Sequence, residues 1–116
     1  MSDTPKGMYD TLADELKKID GIQFVEYEWA TRPKGNHGTY QIDFHVDSDI
    51  GDDGNIDQAE EGSVDIWTAG RRADIAAAVE AALEAVCGGS WYKNLEEVDQ
   101  ETRMLRREYV FQMEAV

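Results

Sequence analysis

The sequence holds a single cysteine, Cys87, and therefore cannot close an internal disulfide. Cys87 stands at a helix end beside Gly88 and Gly89 and reads as a small packed residue. No apolar run approaches the about 18 residues that a membrane-spanning helix needs, and no signal peptide is present. Together these absences imply a soluble chain, made in a reducing compartment, with no membrane partner. Basic residues are scarce as well. Eleven Lys and Arg stand against 25 Asp and Glu, for a net charge of −14. The electrostatic term that drives binding to DNA or to an anionic membrane then has the wrong sign. Groups with a chemical role are few. The only histidines are His37 and His45, with no cysteine near either, which argues against a zinc site. No Ser–His–Asp set, glycine-rich phosphate loop or Cys-x-x-Cys pair occurs. The chain reads as no enzyme and as needing no cofactor.

What remains is 116 residues, enough for one core and one domain over 1–116. The charge and a mean hydropathy below zero push towards disorder. Periodic apolar runs oppose that and imply a folded body, with the excess charge gathered in loops. Self-repulsion at this charge costs stability, and assembly with a partner can offset it.

The chain is organised around 62–89. Ser63-Val64-Asp65-Ile66-Trp67-Thr68 alternates polar and apolar, as a half-buried strand does. Ala69-Gly70 is a joint. From Arg71 to Val86 the period changes, and Ile75, Val79, Ala82, Leu83 and Val86 recur every three or four residues. Six alanines between Ala73 and Ala82 favour helix, and Gly88-Gly89 can end it. Core is the better assignment for Ile75, Val79 and Leu83. The side carrying Ala76, Ala77 and Glu80 is open to core or to a subunit contact.

Before that stretch, 1–6 is a polar leader expected to be mobile. A short helix follows from Gly7, with Met8, Leu12, Leu16 and Ile19 on one face and Asp20-Gly21 at its end. Two strands come next, 22–31 with Val25, Tyr27 and Trp29 on one face, and 39–46 with Tyr40, Ile42, Phe44 and Val46 on one face. A loop of turn formers separates them, so they are expected to pair as a hairpin. After the central strand and helix, 90–100 is expected to be a short strand and turn. The run 102–113 is a long strand whose basic start, Arg103, Arg106 and Arg107, calls for acidic partners. Trp29, Trp67, Trp91, Tyr40 and Phe44 read as core aromatics. The order helix, strand, strand, strand, helix, strand, strand gives an α+β class. The sheet is antiparallel or mixed, of four to five strands, with two helices packed on one face. Gln41, Asp43, His45 and Glu26 fall on the other face, open to solvent or to a neighbour.

Between Lys34 and Arg71 no basic residue occurs, and 47–61 is a long acidic stretch expected to form a loop. Its carboxylates must face water, a cation or a basic partner. Residues 49–60 can be laid over the twelve-residue calcium loop, with Asp49, Asp53, Asp57 and Glu60 as ligands and Gly54 as the turn glycine. Gly51 at the third position has no side-chain oxygen, and the flanks read as strands instead of helices. A solvated acidic loop, with no metal, is therefore the reading adopted.

The layout resembles that of the tail terminator, or tail completion, proteins of long-tailed bacteriophages. The matching pieces are Met8-Tyr9-Asp10-Thr11-Leu12, the two early strands, the long loop after the second, Val64-Asp65-Ile66-Trp67-Thr68 leading into Ala73-Asp74-Ile75-Ala76, and the closing Arg107-Glu108-Tyr109-Val110-Phe111. The resemblance implies a virion protein, made in the host cytoplasm and forming a ring, a hexamer in that family, on the end of the tail tube. It implies contact with further copies of itself, with the tail tube protein and with the head–tail connector, while DNA passes through without tight binding. Asp49, Asp52, Asp53 and Asp57 are then expected to face the channel, where like charge repels the genome, or the adjoining ring. The alternative is an acidic binding module, either a DNA mimic or a calcium-binding loop domain.

Overall fold

The computed structural model describes residues 7–26, 35–48 and 57–114, with only the backbone of 43–48, 57–59 and 114. The leader 1–6 lies outside the described residues. Seven elements follow in the order expected: α1 (Met8–Lys17), β1 (Gln23–Glu26), β2 (His37–Ser48), β3 (Asp57–Thr68), α2 (Ala73–Cys87), β4 (Trp91–Val98) and β5 (Leu105–Glu114). The strands form one mixed sheet in the order β1-β2-β3-β5-β4. The fold is α+β.

Alternation along β3 sends Val64, Ile66 and Thr68 to one face, where all three are fully buried. Ile75, Val79 and Leu83 from one stripe of α2, and Leu12 and Leu16 from α1, close over the same face with Tyr109, Phe111 and Met113 of β5. Each such side chain contributes about 1.5–3 kcal/mol by leaving water, an upper estimate for a chain with compact unfolded states. Cys87 is buried beneath the end of α2, and desolvation pushes its thiol up to about 11, so it acts as an apolar filler. The alanine side of α2 divides: Ala76 is buried, Ala77 is exposed, and Glu80 accepts a 2.8 Å hydrogen bond from the buried Tyr109 hydroxyl. Glu84 accepts another from the Trp91 indole at 3.1 Å. Two carboxylates thus tie the helix to β5 and β4 and satisfy polar tips that the core cannot.

Four expectations are corrected. First, β1 and β2 are parallel, with Gln23 opposite His37 and Glu26 opposite Tyr40, and do not form a hairpin. Alternation reports which face a residue takes and carries no information on strand direction. The start of β2 is held by Asn36, whose amide donates to the Gly21 carbonyl while its side-chain oxygen accepts from the Ala69 N–H. Second, the side of β1 marked by Val25 in the alternation is not the buried one: Phe24 is buried in the core and Val25 is only half-buried. Third, both ends of the acidic stretch 47–61 are strand, 47–48 in β2 and 57–61 in β3. β2 runs through Ser48 and β3 begins at Asp57, paired to each other at that point. Only 49–56 falls between them, outside the described residues. Carboxylates can leave a strand towards water as readily as they leave a loop, so composition alone misplaced the boundary. A register shift between Ile42 and Phe44 also interrupts the unbroken alternation expected through Val46. Fourth, 91–98 is a full edge strand, and 102–104 precede β5 instead of belonging to it.

Two glycines are required by close approach. A Cβ on Gly38 would strike the Phe24 ring, and one on Gly62 would strike the Gln41 carbonyl oxygen and the Phe111 ring. Phe111 fills the space that a side chain at 62 would need, beside the register shift of β2. Gly62→Ala is expected to lower the unfolding free energy by roughly 1–3 kcal/mol through overpacking. The check is a fall in the denaturant midpoint at an unchanged slope; an unchanged midpoint would show that the strand can yield freely.

Candidate functional site

The helices cover one face of the sheet, and the other face gathers polar groups from β2, β3 and β5. Thr39 and Gln41 stand opposite Asp65 and Ser63, and Asp65 and Trp67 stand opposite Glu108 and Arg106. These residues, with Asp99 and Glu101 beyond β4, line a cleft of about 280 Å³. Its centre is one stack. The His37 and Trp67 rings lie 4.9 Å apart and nearly parallel, and the Arg106 guanidinium sits 5.6 Å from the Trp67 ring. Arg106 Nη2 donates to Asp65 at 2.8 Å and lies 3.6 Å from Glu108. His37 donates from Nδ1 to the Gly35 carbonyl at 2.9 Å, which fixes the ring against the indole.

Trp67 is only 4% exposed, yet it does not belong to the core beneath the helices. The expectation of a core aromatic is corrected in that respect. Among the described residues no helix covers this face, and Trp67 is shielded by His37 and Arg106. The clue was in the sequence: Trp67 shares its strand face with Asp65 and Ser63. Arg106 combines a cation–π contact with a partly buried ion pair, whose strength comes from reduced water contact.

The remaining arginines and acids are paired in part. Arg107 donates from Nε to Glu96 at 2.8 Å, and Lys93 lies 3.0 Å from the same carboxylate. Hydrogen bonds from Lys93 and Arg107 hold the Glu96 carboxyl below its ordinary value. Arg72 grips Asp74 with two hydrogen bonds of 3.0 and 2.9 Å at the start of α2, holding that carboxyl down to about 2. The tyrosines act in the opposite sense: burial, then hydrogen bonds to Glu26 and Glu80, push Tyr9 and Tyr109 well above the ordinary phenol range.

The residues singled out from the sequence fall as follows. Asp49, Asp52 and Asp53 lie outside the described residues. Asp57 is the first residue of β3, opposite Ser48, and Glu60 lies three residues on, opposite His45 and Met113. The flanks of 49–56 are two paired strands, whereas the calcium loop needs two helices. Acid is also less confined than expected, because Glu96, Glu97 and Glu101 are exposed along β4 and the turn after it. Among the described residues, no three metal-ligating side chains come together. Ser63 accepts a hydrogen bond from the Gln41 side chain at 3.4 Å.

β4 closes the sheet on one side, and Tyr92 and Val98 on it are 56% and 53% exposed. An edge strand with exposed apolar side chains is a ready surface for association.

No protein-family model and no curated protein matches the chain. Among solved structures, a chain from a structure described as the virion of a native gene transfer agent particle is similar. It has a TM-score of 0.54 and 13% identity over 90% of this chain and 91% of that one. At this identity the likeness is one of fold.

Two outcomes follow from the ion pairs. Arg106→Ala removes the ion pair to Asp65 and uncovers Trp67, and is expected to cost roughly 1–3 kcal/mol in chemical denaturation. A cost as small as that of an exposed substitution would show that the stack contributes nothing. Asp74 is depressed in the folded state, so its contribution is present above the ordinary 3.8 and is lost as pH falls through about 2. Asp74→Asn is therefore expected to lose less stability than the parent between pH 4 and 2, measured by thermal melts across that range.

Proposed function

We propose that this chain is a structural virion protein. It forms a ring at the end of a phage tail tube, stops tube growth and docks the tail to the head connector. The observation that carries this proposal is the similarity of fold, over nine-tenths of both chains, to a component of a structure described as a gene transfer agent virion. The resemblance of the sequence to tail terminators supports the finer assignment to the tube end.

The physical features are compatible with such a role. The exposed edge of β4 and the polar open face offer two different surfaces, and different surfaces meeting head to tail are what a closed ring uses. A net charge of −14 keeps DNA from adhering to the walls of a passage it must traverse. Under this proposal Asp49, Asp52, Asp53 and Asp57 face the channel or an adjoining ring. The protein acts by assembling with copies of itself, with tail tube protein and with a neck protein, and without catalysis. No helix among the described residues is long and apolar enough to cross a membrane.

Light scattering after size exclusion is expected to give a ring-sized oligomer, either for the protein alone or after tail tubes are added. Electron microscopy is then expected to show the protein only at tube ends. A chain that stays monomeric at every concentration and leaves tubes uncapped would overturn the proposal.

A further inference from the structure

A second cleft, of about 300 Å³, lies where β3 leaves for α2 and β4 turns into β5. Arg71, Arg103 and Arg107 line it, with Glu96, Val98 and Leu105. In so acidic a chain, half of the six arginines converge on one place. Arg107 is only 6% exposed; its Nε serves Glu96, but its buried Nη1 has no hydrogen-bond partner among the described residues. A buried donor left unpaired is costly, and a carboxylate oxygen is its natural complement. The Arg71 and Arg103 side chains are exposed and make no ion pair or side-chain hydrogen bond among the described residues. Val98, half exposed, and the half-buried Leu105 add an apolar wall. The cleft is built for an anionic group carried beside an apolar one.

The chain itself contains such a segment. Residues 49–56 read Asp-Ile-Gly-Asp-Asp-Gly-Asn-Ile, with three carboxylates, two isoleucines and no cation. A copy cannot insert this segment into its own cleft. It is anchored where Ser48 pairs with Asp57, at one end of β3, while the cleft lies past Thr68 at the other. Eleven residue steps at about 3.3 Å put the two roughly 36 Å apart. Eight residues held at both ends reach only about 14 Å outwards.

We infer that the arginine cleft of one copy receives the acidic segment 49–56 of the next, as the head-to-tail contact that builds the ring. The inference rests on ring formation as proposed above and, in place of the channel or an adjoining ring, assigns the carboxylates of 49–56 to the neighbouring subunit. Because the two surfaces differ, the contact is heterologous, and it closes when the rotation between copies allows. It is also salt-sensitive, since Arg71 and Arg103 are exposed.

A charge swap in the full-length chain tests it. The double variant R71E/R103E changes two exposed side chains and leaves Arg107 and its Glu96 pair in place. D52K/D53K changes the acidic segment. Each alone is expected to raise the concentration for half-association by at least roughly tenfold, the equivalent of one lost charge-assisted contact. Mixing the two is expected to restore assembly, because the reversed cleft meets the reversed segment and the remaining pair is unchanged. Unaltered circular dichroism and melting confirm that both fold. If R71E/R103E assembles like the parent, the inference is overturned while the ring stands. If that variant forms rings but no longer caps tail tubes, the cleft serves the tube protein and the inference is again overturned. A parent chain that never assembles, with or without tubes, removes both.

Discussion

The burial of Val64 and Ile66 against the stripe of α2 that carries Ile75, Val79 and Leu83 decides what every other part of the sheet can be. Side chains on a strand alternate, so committing two residues of β3 to the helices commits Ser63, Asp65 and Trp67 to the opposite face. Both helices are spent on the first face, and among the described residues no further layer covers the second. A tryptophan there must be shielded by what the strands themselves carry. His37 supplies a stacked ring and Arg106 a cation, and Asp65 holds Arg106 in place. The result is a buried aromatic on a polar face, held by interactions individually worth about 0.5–3 kcal/mol in place of a second hydrophobic core.

Much of this was legible in the sequence because its periods are clean. The change from alternation over 63–68 to a three-and-four repeat over 75–86 marks the strand and helix that became β3 and α2. The element order and the α+β class followed from repeating that distinction along the chain. What escaped was information that periodicity does not hold. Nothing in Phe24 or Tyr40 tells whether two neighbouring strands run parallel, and β1 pairs with β2 in that sense. The acidic run disguised the ends of β2 and β3, because ladder hydrogen bonds are made by backbone groups that every residue has. Arg106 and Arg107 were recognisable as seeking acids, but Asp65 lies 41 residues from Arg106, and only the antiparallel register of β3 with β5 brings them together. The arginine cleft was invisible for the same reason: Arg71 and Arg103 are distant in sequence, and chain folding alone makes them neighbours.

The distribution of charge is less simple than a neutral body with an acidic projection. Glu96, Glu97 and Glu101 bring acid to the β4 side, close to the arginines. Glu96 is drawn into that cluster, sharing Lys93 and Arg107, and its lowered carboxyl value records the attraction. The arginine cleft therefore retains more positive charge than its one lining carboxylate can neutralise, in a molecule whose overall field is strongly negative.

That contrast bears on how copies could meet. Repulsion between two chains of charge −14 is long-ranged but screened beyond about 8 Å at physiological ionic strength, so it slows encounters more than it opposes close contact. Pairs formed at hydrogen-bond distance survive that screening best where water is partly excluded, as around Arg107. An acidic surface meeting another acidic surface gains nothing at contact. Only an orientation that sets carboxylates against the arginine end of β3 turns the same charge from an obstacle into an attraction. Under the proposed ring, a concentrated basic cleft on a strongly acidic chain favours head-to-tail association, and the excess charge bears on the geometry of assembly even as it lowers the rate.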